Sequence, residues 1–167
     1  MGNKKKKARY LKHIAILFFI IFLIGFGIRS AWNQVEGTSS IKMSFLGDNV
    51  VNSNFKIEVV NTKESRARGL MFRKELSTDT GMLFIFPETK DHSFYMKNTY
   101  VSLDMIFVSE DMKIVGILEN VPILNETPRT VGKPSRYTIE VIAGTTKRLG
   151  LKLGDLVKFD SPLPAAT

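Results

Sequence analysis

The sequence has no cysteine. It therefore forms no disulfide, offers no thiolate nucleophile, supplies no cysteine ligand to a metal, and lacks the residue that a diacylated lipoprotein needs. Histidine is scarce: there are two, His13 and His92, in 167 residues. No His-Glu-x-x-His helix and no Gly-x-Ser-x-Gly elbow occurs, which leaves zinc and serine hydrolases without their usual parts. Acidic residues are absent from residues 1–31, where seven Lys and Arg stand unopposed. The remainder carries seventeen bases and sixteen acids, so the formal net charge of +8 belongs almost wholly to one end. A nucleic-acid binder concentrates its basic excess on the folded domain among stacking aromatics. No nucleic-acid partner is expected.

What the basic end does follows from its neighbour, "IAILFFIIFLIGFGI" at residues 14–28. A helix of that length spans about 22 Å, short of a hydrocarbon core of ~30 Å. Tyr10 and Trp32 extend the span as interfacial aromatics, and Lys12, His13 and Arg29 can snorkel from its ends. Cleavage by signal peptidase would need small residues just before the cut; a cut after Ala31 puts Arg29 at −3. A retained signal anchor is expected over residues 14–32, behind a cytoplasmic basic region at 1–13. Six bases before the apolar run against one after it send the rest of the chain across the membrane. The expected location is a single-pass cell-membrane protein whose C-terminal domain is extracytoplasmic, periplasmic or extracellular. A Met-Gly start invites myristoylation, but Lys6 stands where that pattern requires Ser or Thr.

Residues 33–40 read as a linker, 41–160 as the folded domain and 161–167 as a C-terminal tail. Within the domain the hydrophobic period is two. "IKMSF" and "FKIEVV" read as antiparallel strands around a Gly-Asp-Asn turn. Asn61 with Glu64 suggests a capping box for one short helix through Ala67, Leu70, Met71 and Lys74, although Gly69 weakens or ends it. "GMLFIF", stopping at Pro87, reads as a central strand, followed by "SFYM", "LDMIFV", "KIVGIL", "YTIEVIAG" and "DLVKF". Glu110 and Asp111 mark a hairpin turn, Thr145 to Leu149 a turn or short helix, and residues 123–136 a long loop. Many short strands with little helix predict a mainly β domain, a sandwich or barrel-like fold, behind a single N-terminal transmembrane helix.

The ordered runs "RARGLMFRKEL", "GMLFIF", "FYMKNTYVSLDMIFV", "IVGILENV" and "EVIAGTTKRLGLKLGDLV" resemble the family called domain of unknown function 192. The resemblance covers about residues 55–159. It implies a compact, mainly β domain of bacteria and archaea, often behind an export signal or anchor, with no established activity. Two positions depart from the family pattern: Tyr95 replaces a tryptophan and Ser102 a proline. The fold expectation is unaffected, and no ligand inference rests on an indole.

Within "MKNTYVSLD" the question is whether the polar groups form a site. Strand alternation places Asp104 on the face of Ile106 and Val108, where a carboxylate needs a basic or N–H partner. Arg73 and Lys97 are the basic residues within reach in sequence terms, and the arginine suits a bidentate pair. A polar binding site is expected around Arg73, Lys97, Asn98, Thr99, Asp104 and Glu140, for a small molecule, glycan or protein partner, with no cofactor. Pairing of Asp104 with Glu140 would instead give a carboxylate hydrolase acting on envelope carbohydrate. Met71, Met82, Met96 and Met105 with His92 form a soft donor set suited to Cu(I), but methionine is a routine core filler and core is the preferred reading.

Overall fold

The computed structural model describes residues 39–50 and 53–167. The expected anchor and most of the linker lie outside the described residues. Among the described residues no helix is long and apolar enough to cross a membrane.

Among the described residues seven strands and two short helices follow in order: β1 Ser40–Leu46, β2 Phe55–Val60, α1 Lys63–Arg68, β3 Thr80–Asp91, β4 Leu103–Val108, β5 Ile114–Val121, β6 Pro134–Ile142, α2 Thr145–Leu149 and β7 Leu156–Phe159. The strands form one sheet in the order β5-β4-β6-β3-β2-β1-β7. Only β2 and β3 pair in parallel, since α1 and the segment after it carry the chain over between them. The sheet curls into a half-barrel. Its two edge strands meet at one end, where Ile114 N–H donates to Asp155 O at 2.9 Å and Val157 N–H to Met112 O at 2.9 Å. The barrel-like alternative therefore holds, and the sandwich does not.

Alternation divides the core in two. Ile57, Leu83, Ile106, Ile139 and Val141 face the interior of the half-barrel, closed by Leu149 of α2. Met82, Phe84, Met105 and Phe107 face outward and are covered by Leu70, Met96 and Val101 from the connecting segments. Because both faces are covered, every residue of β4 is buried, which accounts for the nearly unbroken apolar run of "LDMIFV".

Several local expectations are corrected. The N-cap of α1 is Thr62, not Asn61: Thr62 Oγ1 accepts from Ser65 N–H at 3.1 Å, and Ser65 Oγ accepts from Thr62 N–H at 3.0 Å. A hydroxyl at each end completes the reciprocal box. Asn61 turns away and donates to Ala165 O at 2.7 Å. The helix stops at Arg68, and Gly69 follows at φ 46° and ψ −133°, a region open essentially to glycine alone. Strand β3 runs past Pro87 to Asp91 because the register with β6 shifts between Ile85 and Lys90, so the missing proline N–H interrupts no regular ladder. "SFYM" forms only a bridge from Phe94 to Arg129. The long loop ends at Pro134, where β6 begins. Leu163 and Ala166 pack against the inner core, and Thr167 N–H donates to Asn61 O at 2.8 Å, so the C-terminal segment lies on the domain.

Candidate functional site

The residues expected to form one site are held in three places. Asp104 is wholly buried, and its partners are N–H and hydroxyl groups, not a cation. Oδ1 accepts from Asn120 N–H at 2.9 Å; Oδ2 accepts from Thr146 N–H at 2.9 Å and Thr146 Oγ1 at 2.8 Å. The strand register explains the geometry. Leu103 pairs with Val121 and Met105 with Leu118, so Glu119 and Asn120 both lie opposite Asp104 in a bulge that turns the Asn120 amide inward. Thr146 lies in the first turn of α2, whose N-cap Gly144 has no side chain to cap it. Asp104 therefore serves as a cap delivered from another strand.

Arg73 makes a bidentate pair with Glu58, with Nη1 at 2.5 Å from Oε1 and Nη2 against Oε2. Its expected pairing with Asp104 is corrected by topology: Arg73 lies over the outer face of the sheet, which carries Glu58, whereas Asp104 points inward. Lys97 is exposed. Asn98 has a left-handed backbone at φ 50°, and its carbonyl accepts Phe72 N–H at 2.7 Å. Its neighbour Thr99 is buried, with Oγ1 donating to Lys97 O at 3.1 Å.

Glu140 stands in the middle of β6, paired with Met82 on one side and Met105 on the other. Asp104 and Glu140 thus sit one register step apart on opposite faces of the sheet, and they cannot flank one scissile bond. Glu140 is 5% exposed. Among the described residues no hydrogen-bond donor or cation meets its carboxyl, and burial alone pushes its pKa up to about 8. Two residues earlier on the same strand, the buried Thr138 hydroxyl also lacks a partner.

Glu140 opens into a cavity of about 220 Å³ between the outer sheet face and the covering segments. Phe84, Phe86 and Phe94 form its apolar wall, and Thr99 and Tyr95 stand at the lining as well. The rings are set edge to face, Phe94 against Phe84 at 5.3 Å and against Phe86 at 6.0 Å between centroids, which fixes the wall. Arg66 and Arg68 of α1 stand at the lining too. Arg66 is tied down: it donates to the Asn61 and Ile85 carbonyls and to a main-chain oxygen of Thr167, and lies 5.6 Å over the Phe86 ring. Partial burial lowers its pKa, and the charge of Glu64 opposes that shift. Arg68 is exposed, and its guanidinium makes no hydrogen bond or ion pair among the described residues.

The soft donor set is dispersed. Met82, Met96 and Met105 are packed in the outer core with Phe84 and Phe107, while Met71 lies at the cavity wall. His92 stacks on the Phe86 ring at 3.5 Å, and its Nε2 lies 3.2 Å from Glu88 O, which makes that nitrogen the donor. Burial lowers its pKa first of all. Among the described residues no group of three His, Asp or Glu side chains could hold a metal.

Of the six expected site residues, the cavity takes Thr99 and Glu140. Arg66, Arg68, Tyr95 and the three phenylalanines were missed. The run "RARGL" held the signal, two arginines two residues apart ahead of a helix-ending glycine, but its position at the cavity is a tertiary fact.

Fold and site together define a half-barrel domain with a single small cavity-borne carboxyl and no paired catalytic groups around it. The chain belongs to the DUF192 family, described as an uncharacterized ACR, which matches residues 46–159. It is similar to a solved structure from Sinorhizobium meliloti, named provisionally as a transcription regulator, at 33% identity and a TM-score of 0.70, covering 74% of this chain and 95% of that one. A protein of unknown function from Novosphingobium aromaticivorans is similar at 33% identity and a TM-score of 0.69, covering 75% of this chain and 89% of that one. No curated protein matches.

Proposed function

We propose that this protein is a membrane-anchored, extracytoplasmic accessory module whose domain binds a small molecule in the Glu140 cavity. The observation that carries this reading is Glu140 itself, a buried carboxyl without a partner, opening into a walled cavity. An unpaired carboxyl in an apolar setting is costly, and proteins that retain one commonly present it to a ligand. Binding is favoured over hydrolysis because the cavity lining holds no second carboxylate, and Asp104 is committed to α2 on the other face. The basic and apolar sequence of residues 1–31 supports the anchored location.

The test compares full-length protein with Ala67→Trp, a substitution at the cavity lining that would fill it from exposed α1. Each is purified in detergent, exposed to a small-molecule extract of the cell envelope, and analysed by mass spectrometry. A compound retained by the parent and lost in the filled variant is expected. Identical retention by both would overturn the reading. For topology, external protease should digest residues 40–167 in spheroplasts; protection would place the domain on the cytoplasmic side.

A further inference from the structure

Resting on the reading that the cavity is a ligand site, we infer that its ligand is a small organic anion of about one ring, with its acidic group at Arg68 and a hydroxyl or carbonyl against Glu140. Size sets the first limit. At about 220 Å³ the cavity falls below the ~300 Å³ at which drug-sized sites begin. Phe84, Phe86 and Phe94 give its walls flat apolar surface, suited to a ring or short hydrocarbon body.

Charge sets the second. The two cations at the lining, Arg66 and Arg68, have no Asp or Glu carboxylate within ion-pair distance among the described residues. Arg66 is fastened to three main-chain oxygens and a ring, so its own fork is already engaged. Arg68 keeps its whole planar fork for an incoming group, and that fork matches a carboxylate bidentately.

The inner end sets the third. Among the described residues nothing pairs with the Glu140 carboxyl, so its neutral form prevails there and presents one O–H donor and an acceptor. That group satisfies a ligand hydroxyl or carbonyl without repelling the anion outside. Thr99 and Tyr95 also stand at the lining. The result is a site with a cationic outer end, an apolar middle and a neutral hydrogen-bonding inner end.

The experiment uses three one-ring probes of matched shape: 4-hydroxybenzoate, 4-hydroxybenzamide and 4-hydroxybenzylammonium. Full-length protein in zwitterionic micelles is titrated near neutral pH, following the amide resonances of Met71, Thr99 and Glu140. The anion should bind about tenfold or more tightly than the amide, and the cation more weakly still. Arg68→Gln should bring the anion down to the level of the amide while leaving the amide unchanged. Lys152→Gln, an exposed charge in the loop between α2 and β7, should alter neither. Equal binding of all three, or a preference for the cation, would overturn the anion inference and leave the cavity reading standing. No shift at these amides with any probe would overturn both.

Discussion

The Asp104 carboxylate on β4 holds the first turn of α2 by accepting both the N–H and the hydroxyl of Thr146, at 2.9 and 2.8 Å. A third bond from Asn120 N–H fills the other oxygen. Asparagine at this position could accept from one amide only by turning its NH2 toward the other donor. Asp104→Asn is therefore expected to cost about 2–4 kcal/mol in denaturant melts, while Thr146→Val, which keeps the backbone bond, costs about 1 kcal/mol. A loss below about 0.5 kcal/mol for Asp104→Asn would remove the capping role.

Arg73 and Glu58 form their pair on the outer face, with side chains 37% and 29% exposed. Solvent screens such a pair, so a double-mutant cycle on Arg73→Met and Glu58→Gln should return a coupling of about 0.5–1 kcal/mol. The same cycle between Arg73→Met and Asp104→Asn should return none within about 0.5 kcal/mol, because the sheet separates the two groups. Coupling of several kcal/mol in the second cycle would restore the pairing that sequence position suggested.

These two contacts show what was legible in the sequence. Period-two alternation in "FKIEVV" and "LDMIFV" assigned the strands and set Asp104 among Ile106 and Val108, because side-chain direction in a strand follows from local geometry. The demand that a buried carboxylate find donors was also readable. Which donors met it was not, since the Asn120 bulge and the placement of α2 depend on how β4, β5 and β6 register. Glu140 was singled out, yet its isolation is a tertiary fact: Arg73 pairs with Glu58, two strands away in the same cross-strand row. Arg66 and Arg68 were hidden for the same reason: the residues they adjoin are distant in sequence.

Gly69 ends α1 at φ 46°, and a Cβ there would meet the Phe84 ring at 3.1 Å. The glycine both permits the turn and lets the chain approach the cavity wall. Gly69→Ala is expected to destabilise by about 1–3 kcal/mol through backbone strain, and to weaken whatever the cavity binds by displacing Phe84. Chemical denaturation and the probe titration together check this; unchanged stability would mean the turn accepts a side chain.

Glu140 gives the domain a distinct dependence on pH. Its pKa stands at about 8 in the folded protein against 4.5 for the free group, and burial is the cause. Arg66 and Arg68 from α1 and Tyr95 from the covering segment are the titratable groups lining its cavity. Between those two values the folded state holds a proton that the unfolded chain has released, so this contribution to stability falls as pH rises and levels off above about 8. At about 1.4 kcal/mol per unit, the full effect is roughly 4–5 kcal/mol. Glu140→Gln removes the titration and keeps a neutral polar group of nearly the same shape. The stability difference between parent and variant should therefore shrink, or reverse in favour of the variant, from pH 5 to pH 9. Urea melts across that range measure it, and parallel curves would show that Glu140 is ionised in the folded domain and has a partner there.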